Sequence, residues 1–375
     1  MYEQQIREDI FFLMLYAGVA MMFMMASCYL LFRRGNAFSP DITSSVRLRR
    51  WTAAFFAAMV LNHVWYLPVA YSTTRDDAMM RYLFGGLLDS MTVLPLSIIV
   101  LLTMLQDRRR PLWPVGLMIA PFVVGMAVCV FRGNDTLWPV LNAYLLLMGI
   151  GFTIYMGFAV RQYGRWLRDN YADLEHKEVW QSFVVLAAIL MLFSIYVSGI
   201  GGTSSKYLIH VGDILLVCYL LWRVETLSDL SIHQSQALDC EEKATTAETE
   251  DGKVVLPAAH DDITKLLQDH CVDAQLYLQH DLTLQQLAKA IGINRYYLSQ
   301  YFSRQGTTYN AYINGLRVNH FVSLYHEAVA THSPITTKQL AHDSGYRCYS
   351  TFSLAFKQLL GQNVTAWMRD TAKSI

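Results

Sequence analysis

The sequence predicts an all-α protein in two phases: a seven-helix transmembrane bundle, then a helical module carrying two helix-turn-helix units. Three observations predict it. Apolar runs of membrane-spanning length crowd the first 224 residues of a 375-residue chain that is 54% hydrophobic, more than a soluble protein of this size carries. From Glu225 onward the composition is that of an ordinary soluble polypeptide. Within that soluble part, one short pattern occurs twice, beginning at Thr283 and again at Thr336.

A lipid-crossing helix needs about 20 mostly apolar residues, because its backbone groups find no water in the hydrocarbon layer. The segments that meet or nearly meet this requirement are Ile10 to Phe32, Trp51 to Tyr71, Tyr82 to Leu105, Leu112 to Phe131, Trp138 to Val160, Val179 to Ile200 and Tyr207 to Val224. The first is too long for a signal-peptide core and is followed by Arg33 and Arg34. It is expected to stay as an uncleaved span. The methionines Met21, Met22, Met24 and Met25 are expected to face lipid or fill packing gaps.

Cation placement sets the orientation, since loops rich in Lys and Arg remain cytoplasmic. Odd-numbered loops carry Arg33, Arg34, Arg47, Arg49, Arg50, then Arg108, Arg109, Arg110, then Arg161, Arg165, Arg168 and Lys177. The N-terminal tail and even-numbered loops carry only Arg7, Arg75, Arg81, Arg132 and Lys206. A multi-pass protein of the inner, cytoplasmic membrane is expected, its N-terminus outside and its C-terminal domain cytoplasmic.

Ionisable residues inside the spans are His63, Asp89, His210 and Asp213, all roughly 5 to 12 Å below the outer ends of their helices at 1.5 Å per residue. Asn142 lies at a comparable level. Charge in a bilayer is costly, so such groups face the bundle interior and pair. Two readings compete: a sensing pocket for a ligand or proton, and polar glue between helices. A catalytic or metal site is not expected, and no cofactor is.

The soluble part is electrically uneven. Glu225 to His280 is acidic and Asp281 to Ile375 basic. Three domains are therefore expected: residues 1–224 as membrane domain, 225–260 as a flexible acidic linker, and 261–375 as the basic module. Leu227 and Leu230 offer at most a short dimer seam, with a frayed helix end as the simpler expectation. The six cysteines stand at no metal-ligand spacing and fit a reducing compartment.

In the module, Thr283-Leu284-Gln285-Gln286-Leu287-Ala288 aligns with Thr336-Thr337-Lys338-Gln339-Leu340-Ala341, followed at the same interval by Gly292 and Gly345. Thr-x-x-Gln predicts a reciprocal capping box, and the glycine a left-handed turn into a second helix. Asn294 to Arg304 and Cys348 to Leu359 have helical period, burying Leu298 with Phe302 and Phe352 with Phe356. Their other faces carry Asn294, Arg295, Tyr296, Ser299 and Gln300, and Arg347, Tyr349, Ser350, Ser353 and Lys357. Arg, Asn and Gln can pair with base edges in the major groove, while Ser, Tyr and Lys suit phosphates. Double-stranded DNA is the expected partner.

The stretches LTLQQLAKAIGINRYYLSQYFSRQ, YINGLRV and ITTKQLAHDSGYRCYSTFSLAFKQLLG make residues 261–369 resemble the AraC/XylS type of transcription activator. The resemblance implies two helix-turn-helix units joined by a long helix, here about Tyr309 to Ala328. It also implies that Asn294, Arg295, Tyr296 and Ser299 read bases, and that Arg347, Tyr349, Ser350 and Ser353 read bases or hold the backbone. The chain departs from the pattern in a shorter turn after the first recognition helix, in bulky Phe321 and in Val364 where proline is usual.

The module has no nucleophile with a base, no phosphate loop and no metal spacing, so a binding protein rather than an enzyme is expected. The combined expectation is a one-component sensor and transcription regulator. Its partners would be DNA, membrane lipid and an unidentified signal ligand or protein, with a homodimer admitted. The rival from another class is a membrane enzyme or transporter acting through His63, Asp89, His210 and Asp213, with a regulatory DNA-binding tail.

Overall fold

The computed structural model describes residues 2–33, 36–37, 42–132, 137–184, 204–230, 260–331 and 336–374. Among these the chain is helical, with no strand beyond two isolated bridges. It divides into two compact units, Met1–Tyr163 with Val179–Ile232, and Gly164–Glu178 with His233–Ile375.

The first unit contains α1 (Tyr2–Phe32), α2 (Val46–Tyr66), α3 (Arg75–Met91), α4 (Val93–Met104), α5 (Trp113–Arg132), most of α6 (Trp138–Asn170) and α7 (Ser204–Thr226). Six helical stretches among the described residues are long and apolar enough to cross a membrane. The expected span Val179 to Ile200 lies mostly outside the described residues. The expected third span is broken at Thr92, between α3 and α4. Pro95 explains the break, since it has no N–H to give to the carbonyl of Met91 and its ring crowds that turn.

Small and aromatic residues share the helix seams of this unit. Small Ala26 and Ala53 are buried where α1 meets α2, Ser27 donates to the Ala53 carbonyl at 2.9 Å, and Phe23 and Phe56 fill the seam. Met21, Met24 and Met25 lie exposed, as lipid-facing side chains would.

One end of the bundle is closed by polar bonds around Glu225. This residue was expected to begin a flexible linker, but it is fully buried and paired with Arg49. Asn36 and the Ala37 N–H also donate to Glu225, at 2.5 and 3.1 Å. Leu227 and Leu230 are buried beside it, and Gln106 bonds Ser228 and Leu230. Opposite charges and buried leucines thus fix residues 225–230; residues 231–259 lie outside the described part.

The second unit opens with α8 (His260–Leu267), followed by α9 (Leu284–Ala290), α10 (Arg295–Arg304), α11 (Tyr309–Ala330), α12 (Thr337–Asp343), α13 (Tyr349–Leu360) and α14 (Val364–Ser374). The pairs α9/α10 and α12/α13 are the two expected helix-turn-helix units, and α11 is the long joining helix. Gly292 and Gly345 have φ of +74° and +89°. The turns repeat bond for bond: Ile293 N–H donates to Ala288 and Tyr346 N–H to Ala341, the long Schellman bond in each unit.

One capping expectation is corrected. Thr283 and Gln286 form the full reciprocal box, but the Gln339 amide turns away from Thr336 to donate to Asp343 at 3.0 Å. Thr336 still accepts from the Gln339 N–H, so half the box remains. The competing acceptor one turn along the helix is the reason.

Each helix-turn-helix unit has its own core. Leu287, Ala288, Leu298, Phe302 and Ile313 fill the first. In the second, Phe321 is fully buried, 4.4 Å from Phe352 in ring centroids and packed on Phe356 and Trp367. The bulky residue that departs from the AraC pattern is therefore a core centrepiece, and Val364 is buried in the same cluster.

Candidate functional site

The expected DNA-facing residues lie on and just before α10 and α13. Tyr296 is exposed and accepts from the Gln300 amide at 2.7 Å, so the two present one joined polar group. Ser299 and Ser353 are half-buried, while Ser350 and Lys357 are exposed. Two of the expected base readers also have structural partners within the module. Asn294 caps α10, its Oδ1 accepting from the Tyr296 N–H at 2.8 Å, and the Tyr349 ring packs on Phe352. An N-cap side chain satisfies its own helix first, and a ring beside an apolar cluster gains by burial.

The arginines are engaged as well. Arg295 donates to Asn170 Oδ1 at 2.5 Å, and Arg347 pairs with Asp281 at 3.1 Å. Asn170 belongs to a stretch the sequence gave no reason to connect with this module. Residues 164–178, the end of α6 and the turn after it, are built into the second unit. Tyr171 bridges to Thr283, the Ala172 N–H donates to Leu282, and the Ala172 side chain joins the first core.

The centre of this strap is Asp173, whose carboxylate accepts from the Arg317 guanidinium at 3.1 Å. Arg317 is fully buried on α11 and also donates to the carbonyls of Tyr277 and Gln279 at 2.7 and 2.8 Å. A buried guanidinium is tolerable only when its donors are met. Asn310 and Asn314, also on α11, donate to the Ala172 carbonyl. Further along, Glu175 accepts from Cys348 and from Thr351 at 3.0 Å, and Lys177 pairs with Asp281 at 3.0 Å. The strap thus touches α10, α11 and α13.

Electrostatics agree with this placement. Burial alone would raise the Asp281 carboxyl, but Lys177, with Arg347 and His280, more than offsets it and holds the group below the usual carboxylate range. Burial pushes the Cys271 thiol up to about 11, as befits a core residue.

None of Asn170, Asp173, Glu175 or Lys177 was singled out from sequence as part of the module. One signal was available: Ile313, Arg317 and Phe321 recur at helical spacing, so the arginine sits in a buried stripe and demands a buried partner.

In the first unit the expected intramembrane residues separate into two sites. His63, His210 and Asp213 come together, each offering a ligand atom within 4.8 Å of the others. His63 and His210 rings lie 5.9 Å apart, with the Tyr16 ring against both and Phe12 against His210. Asp89 stands in a cradle of its own, accepting from Asn62, Trp65 and Tyr66 at 2.8 to 3.1 Å. Asn142 joins neither. It lies on an exposed face of α6 with no hydrogen bond to them among the described residues, because equal depth does not fix which way a helix face points.

Residues 287–370 match the family described as a helix-turn-helix domain. No curated protein and no solved structure matches the chain.

Proposed function

We propose that this is a membrane-bound, sequence-specific DNA-binding transcription regulator, in which the helical bundle senses a signal and residues 164–178 carry it to the DNA-binding module. The observation that carries this reading is the Arg317–Asp173 pair. Arg317 stands on the helix joining the two helix-turn-helix units, and Asp173 follows directly on α6, an apolar helix of spanning length. Asn170, the last residue of α6, accepts from Arg295 of the first recognition helix, which makes it the contact through which a signal would reach α10.

In this reading the N-terminus is outside and the module cytoplasmic. Arginine placement supports it, and so does the grouping of residues from the first loop, the third loop and the stretch after α7 around Glu225 and Gln106 at one bundle end. Packing of the fifth loop with the module requires both on one side of the membrane, as the same orientation demands. A signal acts only if it binds two bundle states unequally. The strap then gives those states different arrangements of α10 and α13.

The test is genome-wide mapping of DNA bound by the full-length chain, beside an Asn170→Ala variant and a topology reporter fused after Ile375. The expected result is a set of discrete sites, a cytoplasmic reporter and an altered transcriptional response in the variant. A reporter active only on the extracytoplasmic face overturns the reading.

A further inference from the structure

The geometry points to a divalent transition-metal site, of the kind zinc occupies, formed by His63, His210 and Asp213 inside the membrane bundle. As a binding site it stands on the arrangement of these residues; as a regulatory input it rests on the sensing role proposed above.

Three features of the cluster favour a metal over simple glue. First, the donor set is two imidazoles and one carboxylate, all mutually within 4.8 Å. Tetrahedral zinc with bonds of 2.0–2.1 Å holds its ligand atoms about 3.3 Å apart, so small side-chain rotations close the set. Second, His63 Nδ1 lies 2.8 Å from the Met59 carbonyl, which can only accept. The proton is therefore on Nδ1 and the Nε2 lone pair is exposed to the cluster, the outer-shell arrangement that orients metal-binding histidines.

Third, the cluster is buried yet not internally satisfied. His63 Nε2 has no hydrogen-bond partner among the described residues, and His63 and His210 are only 4% and 8% exposed. His210 Nδ1 lies 3.5 Å from Asp213 Oδ2, within ion-pair range but without hydrogen-bond geometry. An unmet imidazole nitrogen in an apolar bundle is costly, and a cation bound there removes the cost. The rings of Phe12, Tyr16 and Phe23 surround the histidines and limit water. Three protein ligands leave coordination positions open for water or an external donor.

The ligands come from α2 and α7, so binding would tie the two helices at the end of the bundle away from Glu225. That gives a metal the unequal affinity for two helix arrangements that a signal requires.

The experiment uses the full-length protein in lipid nanodiscs, stripped with chelator and reloaded with zinc(II). Metal retained after desalting is counted by mass spectrometry, and cobalt(II) replaces zinc to read the ligand-field spectrum. The expected result is one zinc per chain, a tetrahedral cobalt spectrum, and affinity at least about tenfold weaker in His210→Ala. Asp213→Asn, which keeps the side-chain shape, guards against misfolding of the first variant and is expected to weaken binding in the same direction. His342→Ala, an exposed histidine of the other unit, is expected to change nothing. Absence of stoichiometric zinc, or zinc held equally well by both cluster variants, overturns the site. A transcription reporter run in parallel separates the two claims. Stoichiometric binding with no transcriptional response removes the sensing role and leaves the site, whereas a response to bundle substitutions without zinc binding does the reverse.

Discussion

Arg317 and Asp173, 144 positions apart in sequence, form a buried ion pair at 3.1 Å in the core of the DNA-binding module. The aspartate comes from the loop after an apolar helix long enough to cross a membrane, so the module includes a piece of chain that precedes it by more than the whole acidic stretch.

Removing one partner of such a pair strands the other. Asp173→Ala is expected to destabilise the second unit by about 3–5 kcal/mol, read as faster amide exchange along Tyr309–Ala330 in the full-length protein. Asp173→Asn keeps an acceptor for the guanidinium and is expected to lose clearly less. Equal exchange in all three proteins would show that the strap contributes nothing to the module.

The two turn glycines differ in their surroundings. Both have positive φ, which costs an alanine about 1–2 kcal/mol. A Cβ at Gly345 would also meet the Leu278 backbone at 2.9 Å, while Gly292 has open space. Gly345→Ala is therefore expected to lower the unfolding midpoint of the module well below that of Gly292→Ala. Indistinguishable midpoints would contradict the close approach at Leu278.

Acid is expected to loosen the strap. Asp281 has a folded pKa held below its unfolded value, chiefly by Lys177 and then Arg347 and His280 against the opposing effect of burial. Its contribution is therefore present above the ordinary carboxylate range and is lost as pH falls through the depressed folded value. The carboxylate is 46% exposed, so solvent screening keeps the effect modest. Protease cleavage within residues 164–178, followed from neutral pH down to about pH 3, is expected to rise at the acid end, and Asp281→Asn to cleave readily throughout.

On DNA, Arg295→Ala is expected to cost about 1–3 kcal/mol at the target site and to relax preference at one base position. Lys357→Ala is expected to weaken all sequences alike and to reduce the salt slope by about 1. Binding titrations at several salt concentrations distinguish the two. A uniform loss for Arg295→Ala would assign that arginine to phosphate contact or to the strap alone.

Local chemistry made a large part of this protein legible. Threonine caps, left-handed glycines and i,i+4 aromatic pairs act within a few residues of chain, so the repeated helix-turn-helix units and the apolar spanning lengths could be read directly. Depth along a helix was readable too, because rise per residue is constant; it brought His63, His210 and Asp213 to one level.

What tertiary structure alone decided was direction and distant partnership. Helix rotation put Asn142 on an outer face and gave Asp89 its own cradle, and a bond donated to Asp343 drew the Gln339 side chain from its cap. The partners Asp173 for Arg317, Asn170 for Arg295 and Glu225 for Arg49 lie far off in sequence. Nothing in residue spacing encodes them: a buried charge states only that some partner must exist, and the packing of helices determines which one can reach it.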